Sequence, residues 1–329
     1  MLGNETEDKS KLTEEQQAGK EIKEIPPDFK AGYVAIVGEP NVGKSTLLNT
    51  LLQHKLSIVT PKPQTTRHKI IGIMTGENYQ IVFLDTPGLI KPRYLLQEVM
   101  MEYAESALKD ADIILFMVDV KKVKTNEVTL KTLPFEILKN YVDEKPIILV
   151  INKVDLINKL EVLPMIDFFS KAFPFKEIVP ISALKGQNID ELKKVIIQYL
   201  PVHPPFYPPD MITEHPERFF VAEIIREKIF QLYRQEIPYS TTVSIVEFKE
   251  AKNEGEKDYI LAEIYVEKES QKGIIIGKDG QMLKKIGQLA REEIEWFLGR
   301  PVYLELYVKA RKKWRDSKAW LKRLGYSVD

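Results

Sequence analysis

The chain has 329 residues, enough for two domains at roughly 150 residues each. With 44% hydrophobic and 29% charged residues it is not a wholly disordered or collagen-like chain, and with no cysteine it carries no disulfide, thiolate nucleophile or cysteine-held metal cluster. Basic and acidic residues balance at 48 each, yet residues 1–28 hold eight acids against four bases and residues 268–329 hold fifteen bases against eight acids.

Residues 1–28 are polar, end at Pro26-Pro27 and read as a disordered acidic tail. From 29 to 200 apolar strands alternate with helices. Strands are expected at Tyr33–Val37, Ile70–Met74, Ile81–Leu84, Ile113–Val118, Ile147–Ile151 and Ile178–Ile181, and helices at Ser45–Leu52, Leu95–Lys109 and Ile189–Leu200. Such alternation predicts an open, mostly parallel α/β sheet covered on both faces. No apolar run approaches the ~18 residues of a membrane span, and the charged N-terminus lacks an apolar signal core. A soluble, cytoplasmic protein is expected.

Five prolines in the nine residues from Pro201 to Pro209 mark a semi-rigid linker, 201–216, separating the two units. Residues 217–329 then change order. An amphipathic helix at Phe219–Tyr233 precedes strands Thr241–Phe248 and Tyr259–Val266, a short apolar segment Gly273–Ile276, a long helix from Gln281 to Phe297 and a last strand Val302–Val308. This is a small α+β domain with a glycine-rich turn between its second and third helices.

Gly38-Glu-Pro-Asn-Val-Gly-Lys-Ser45 fits GxxxxGK[ST] between a strand and a helix, the context a phosphate-binding loop requires. Its inward backbone N–H groups, with Gly38, Asn41, Val42, Gly43 and Thr46 in or beside the loop, suit phosphate oxygens. Lys44 is expected to neutralise β- and γ-phosphate charge and Ser45 to ligate Mg²⁺. Asp85-Thr-Pro-Gly88 ends the next strand, so Asp85 would hold Mg²⁺ and the Gly88 amide would face the γ-phosphate. Asn152-Lys-Val-Asp155 and Ser182-Ala-Leu184 end two further strands at the same sheet edge.

The Asn152 segment selects the base. The Asp155 carboxylate can accept from both N1–H and the exocyclic amino group of guanine, whereas adenine leaves it unpaired. Lys153 would cover the ring, Asn152 brace the loops, and the Ala183 amide meet the guanine carbonyl. The nucleotide is expected to be GTP, hydrolysed to GDP. Leu89 follows Gly88 and cannot orient water as a glutamine would, so a weak intrinsic rate is predicted.

These segments, with Gln64-Thr-Thr-Arg-His68 among them, resemble those of translation-factor-type GTPases and, more closely, the Era family of bacterial GTPases. The resemblance covers roughly Phe29 to Asp329. It implies that Thr66 is the switch threonine that ligates Mg²⁺ only when GTP is bound. Related GTPases use an asparagine in the phosphate loop to place an activating potassium ion. Asn41 either does this or is a simple loop hydrogen-bonder.

Ile274-Ile-Ile-Gly-Lys-Asp-Gly280 is similar to the GxxG loop of a type II KH domain, which clamps about four nucleotides of single-stranded RNA. Gly277 and Gly280 let the phosphate backbone approach. Lys278, beside Asp279, adds charge, with Lys284 and Lys285 nearby. Ile274, Ile275 and Ile276 are either the apolar floor of the groove or plain core. In the tail Lys309–Arg315, the charges, including Lys312 and Lys313, are expected on phosphate, and Trp314 and Trp320 are expected to pack a terminal helix.

The resemblance implies a cytoplasmic, monomeric GTPase of small (30S) ribosomal subunit assembly whose KH domain binds the 3′ end of 16S rRNA. Two alternatives stand beside it. One is a tRNA-modification or metabolic GTPase whose second domain binds only protein. The other is a regulator whose basic tail contacts anionic lipid on the inner face of the membrane.

Overall fold

The computed structural model describes residues 25–253 and 255–326; residues 1–24 of the expected tail lie outside them. The first unit is a six-stranded sheet of β1 (Lys30–Gly38), β2 (Ile70–Thr75), β3 (Tyr79–Asp85), β4 (Ile113–Asp119), β5 (Ile147–Asn152) and β6 (Glu177–Ile181). Their order is β2-β3-β1-β4-β5-β6, parallel except for β2 against β3. Strand β4 (IILFMVD) is buried at all its positions, which is why it reads as an unbroken apolar run: helices cover both faces.

On one face α1 (Lys44–Leu52) contributes Leu47, Leu48 and Leu51 to the core. The later helix Ile189–Tyr199 adds Leu192 and Ile196 there. On the other face lie α2 (Leu95–Asp110), α3 (Glu127–Leu130), α4 (Leu133–Leu138) and α5 (Lys159–Ala172), with Ala104, Leu108, Phe135 and Phe169 in the core. Ile189–Tyr199 is α6. All parallel strands end at one edge, which brings Gly38, Asp85, Asp119 and Asn152 together.

The second unit runs α7 (Glu217–Leu232), β7 (Thr242–Lys249), β8 (Asp258–Val266), α8 (Glu269–Ile276), α9 (Gln281–Leu298), β9 (Val302–Ala310) and α10 (Lys318–Arg323). Its sheet is β7-β8-β9, antiparallel then parallel. Helices α7, α8 and α9 bury Ile225, Ile229, Ile275, Ile286 and Ile294 against Ile260, Ala262 and Ile264 of β8. The segment expected at Gly273–Ile276 is the second half of α8, whose start Glu269-Ser-Gln-Lys is too polar to declare itself.

Three further expectations are corrected. The linker does not hold the units apart: Phe206 and Tyr207 N–H groups donate to Gln80 Oε1 at 2.7 and 3.0 Å, and Ile73 N–H donates to Ile212 O at 2.8 Å. It thus satisfies the open edge of β2. Helix α7 is not one-sided; from Phe220 to Phe230 every residue but Ala222 is buried, because its second face meets the first unit. Trp314 is fully buried and donates Nε1–H to Ser240 O at 2.9 Å, but it packs on Leu96 and Met100 of α2. The tail therefore ties the two units together rather than only closing its own domain.

Candidate nucleotide site and nucleic-acid interface

The loop from β1 to α1 needs its glycines for space as well as for φ. A Cβ on Gly38 (φ 150°) would stand 2.4 Å from Met117 O, and one on Gly43 (φ 106°) 2.2 Å from Asn152 Nδ2. Both are impossible contacts for any other residue. Lys44 is buried, with Nζ 3.0 Å from Glu39 O and 3.3 Å from Gly38 O. Burial lowers its pKa to about 8, opposed by the Asp85 carboxylate. Polyphosphate at this spot would add negative charge beside the buried ammonium.

Three oxygen-bearing side chains from three segments meet beside Lys44. Ser45 Oγ donates to Asp85 Oδ2 at 2.7 Å, and Ser45 Oγ lies 2.8 Å from Thr66 Oγ1. Ser57 Oγ also donates to Asp85 Oδ2, at 2.9 Å. Asp85 Oδ1 is buried with no hydrogen-bond partner, and burial raises the carboxyl's pKa against the pull of Lys44. An orphaned carboxylate oxygen among two hydroxyls fits a hard divalent cation such as Mg²⁺. The adjoining cavity, about 490 Å³, takes in Lys44, Thr46, Thr66, Gly88 and Asp155, a ligand-sized space.

Gly88 is tied to this wall: a Cβ there would fall 2.7 Å from Pro40. Leu89 turns into the core and donates its N–H to Gly38 O at 3.0 Å. Asn41 sits in a left-handed conformation and donates Nδ2–H to Pro61 O at 2.8 Å, bonding the phosphate loop to the segment before Thr66. Gly38 and Val42 stand behind the cavity and act through the backbone.

Asn152 braces the site as expected, donating Nδ2–H to Val42 O at 2.7 Å. Its Oδ1 accepts from Ala183 N–H at 2.9 Å. The Ala183 amide, expected on the guanine carbonyl, is thus held by Asn152 in this structure. Ser182 is fully buried, and its Oγ accepts from Lys185 N–H at 3.2 Å. Lys153, at φ 69°, donates to Asn41 O at 2.7 Å and pairs with Asp119 Oδ2 at 2.6 Å. Asp155 is exposed and faces the cavity with Leu156 and Leu184, which are 51% and 75% exposed. Two apolar side chains so exposed beside a nucleotide cavity suit the faces of a base.

Sequence reasoning missed Asp119, Ser57 and Leu156. Asp119 had a usable signal, since it ends an apolar strand as Asp85 and Asn152 do. Ser57 had none, because its place depends on how the chain turns after α1.

In the second unit Gly277 (φ 72°) leaves α8, and a Cβ there would strike Met282 Cγ at 2.7 Å. Lys278, Asp279, Lys284 and Lys285 are exposed and Gly280 half-buried. Beside them a groove of about 520 Å³ runs between α9 and β9, with Gly280, Lys284, Gln288, Arg291 and Tyr303 on its walls. Of the two readings of the isoleucines, core holds for two: Ile275 is fully buried there and Ile276 half-buried against it, while Ile274 is 52% exposed. The groove floor comes instead from Leu283, Leu304 and Leu306. Lys312 and Lys313 are exposed past the end of β9.

Residues 33–153 match a family described as a 50S ribosome-binding GTPase, and residues 236–315 match the KH domain family. The chain is 48% identical over 302 residues to GTPase Era of Caldanaerobacter subterraneus subsp. tengcongensis, covering 92% of this chain and 99% of that one. It is 49% identical over 301 residues to GTPase Era of Thermoanaerobacter sp. (strain X514), covering 91% and 97%. Among solved structures it is similar to Era in complex with MgGDPNP and nucleotides 1506–1542 of 16S ribosomal RNA, with TM-score 0.86, 48% identity, and 91% and 100% of the two chains covered. An Era variant of Aquifex aeolicus bound to GDP and AlF4⁻ matches with the same values.

Proposed function

The chain belongs to the Era family of GTPases, and from that premise we propose that it binds the 3′ end of 16S rRNA through its KH domain during small-subunit assembly, under control of GTP. The observation that carries the reading is the meeting of Ser45, Thr66 and Asp85 at one point, because Thr66 belongs to a loop that also touches the RNA-binding unit. In this reading Lys44 and the loop amides hold the phosphates, and Asp155 with Lys153 holds guanine. The Ala183 amide, now on Asn152 Oδ1, turns to the guanine carbonyl when the base is bound. Bound Mg²⁺ neutralises charge on the β- and γ-phosphates; Ser45, Thr66 and Asp85 are the groups that hold it. Gly88 keeps the γ-phosphate side open and offers its amide there. With Leu89 in the core, no side chain after Gly88 orders the attacking water, so intrinsic turnover is slow. Asn41 of the phosphate loop is the residue that would place an activating potassium ion there.

RNA enters the groove between α9 and β9, with phosphates on Gly277–Gly280 and Lys278, and Arg291 and Tyr303 along the bases. The protein acts as a cytoplasmic monomer. Among the described residues no helix is long and apolar enough to cross a bilayer. The test is equilibrium binding of an oligonucleotide copying the 16S 3′ end, with GDP and with a non-hydrolysable GTP analogue. Tighter binding with the analogue supports the reading; equal and weak binding in both states overturns it. Co-sedimentation with anionic vesicles instead of small subunits would favour the membrane alternative.

A further inference from the structure

Arg226 lies on α7, in the KH-bearing unit, yet it is buried and reaches into the nucleotide-binding unit. Its Nη2–H donates to Thr65 O at 2.7 Å, the carbonyl immediately before Thr66. Its Nε–H donates to Glu223 Oε1 at 2.7 Å, and a second contact joins Nη2 to Glu223 Oε2. The guanidinium sits 5.3 Å from the centre of the Phe230 ring. Its Nη1 has no hydrogen-bond partner.

On the other side of Thr66, Arg67 reaches the opposite way. Its Nη1 donates to Thr241 O at 2.8 Å, and its Nη2 to Pro238 O and Tyr239 O at 3.0 and 3.1 Å. Upstream, Val59 N–H donates to Glu227 Oε1 at 3.1 Å, and the Lys62 ammonium contacts Phe230 O and Tyr233 O. The loop carrying Thr66 is therefore held from both flanks by the second unit. A buried charged pair gives no better stability than an apolar pair of the same size, so cohesion between the units does not explain why Glu223 and Arg226 stand here. Directional grip on one carbonyl does: Glu223 takes the fork of the guanidinium through Nε and Nη2, and so fixed, Nη2 is aimed at Thr65 O.

We propose that Arg226 is a positioning residue for GTP hydrolysis, holding the Thr65–Thr66 peptide so that Thr66 Oγ1 stays at the Mg²⁺ site. The KH-bearing unit thereby completes the GTPase site of its neighbour. This rests on the reading of Thr66 as a metal ligand of the GTP state. GDP does not call on Thr66, so its affinity should not depend on Arg226. Hydrolysis should, because a displacement of about 1 Å in a positioned group costs ~100-fold in rate.

The test uses the full chain with Arg226→Met, Arg226→Lys and Thr66→Ala. It measures single-turnover hydrolysis across Mg²⁺ concentrations, GDP affinity by calorimetry, and thermal unfolding. Arg226→Met is expected to slow hydrolysis ~10- to 100-fold and raise the Mg²⁺ needed for half-maximal rate while GDP affinity holds. Lysine should recover part of the rate. Normal hydrolysis and Mg²⁺ response in a folded Arg226→Met protein, with Thr66→Ala impaired, overturns this inference alone. A Thr66→Ala protein of normal rate overturns the reading beneath it. A loss of GDP affinity as large as the loss of rate also overturns the proposal, since it marks collapse of the whole site. Should the methionine variant not fold, Glu223→Gln, which loosens the guanidinium without removing it, carries the same expectations.

Discussion

Lys153 Nζ and Asp119 Oδ2 stand 2.6 Å apart, and the same ammonium donates to Asn41 O at 2.7 Å. One lysine thus joins the end of β4, the end of β5 and the phosphate loop. Asp119 is 4% exposed, so the pair is screened less than a surface bridge. Asp119→Ala leaves that ammonium without its counter-charge and frees the stem proposed to cover the base. We expect GTP and GDP affinities to fall together by ~10- to 100-fold, in line with about 1–3 kcal/mol for one partner of a charged hydrogen bond. Titration calorimetry reads both; an unchanged pair of affinities refutes the role.

Asp155→Asn should exchange the base preference. The amide cannot accept both guanine N–H groups, but it presents a donor to the 2-carbonyl of xanthine. Competition between GTP and xanthosine triphosphate is expected to shift by several orders of magnitude, as in sites built around a hydrogen-bonding group. Retained GTP preference would mean that another group reads the base.

The GxxG turn offers a charge test. Lys278→Asp places a carboxylate beside the existing Asp279 while both glycines stay. A like-charge contact near 4 Å at an effective dielectric of 20 costs about 4 kcal/mol before screening, roughly 10³-fold in affinity and less in salt. Gel-shift titration of a 16S 3′-end oligonucleotide measures it, and a folded variant binding as tightly as the parent removes the turn from the RNA site.

Trp314→Ala tests how the units are joined. The indole is fully buried between Ser240 and the α2 residues Leu96 and Met100. A large-to-small change of this kind costs about 3–5 kcal/mol. Calorimetric unfolding should show a lower midpoint for the whole chain; loss confined to a second, separate transition would show that the units unfold independently.

His215 gives a pH signature. It stacks on Phe219 at 4.4 Å with Nε2 3.2 Å from Lys69 O, and burial lowers its pKa despite the nearby Glu214 and Glu223. The unfolded chain takes up this proton first as pH falls, so stability is lost as pH drops below about 6.5. His215→Phe should flatten that slope by at most ~1.4 kcal/mol per pH unit. Denaturant midpoints from pH 7.5 to 5 decide it, an unaltered slope being the contrary result.

Much of this molecule was legible as sequence, because the sources of order there are local. Apolar runs such as Ile113–Val118 are too short and too apolar to be anything but doubly covered strands. The spacing of Gly38, Gly43, Lys44 and Ser45 admits one loop conformation, and carboxyl and amide residues placed directly after strands must appear at one sheet edge. Tertiary structure alone decided the rest. Helix α7 looks one-sided in sequence because charged residues interrupt it, yet Glu223, Arg226 and Glu227 are buried by a partner surface hundreds of atoms away along the chain. The hold of Asn152 Oδ1 on the Ala183 amide was not legible either, because a backbone donor goes to whichever acceptor folding brings nearest. No pattern of residues within one unit records the grip of Arg226 on Thr65. It exists only once two separately folded surfaces meet, and burial then makes a single charged hydrogen bond directional enough to hold a loop.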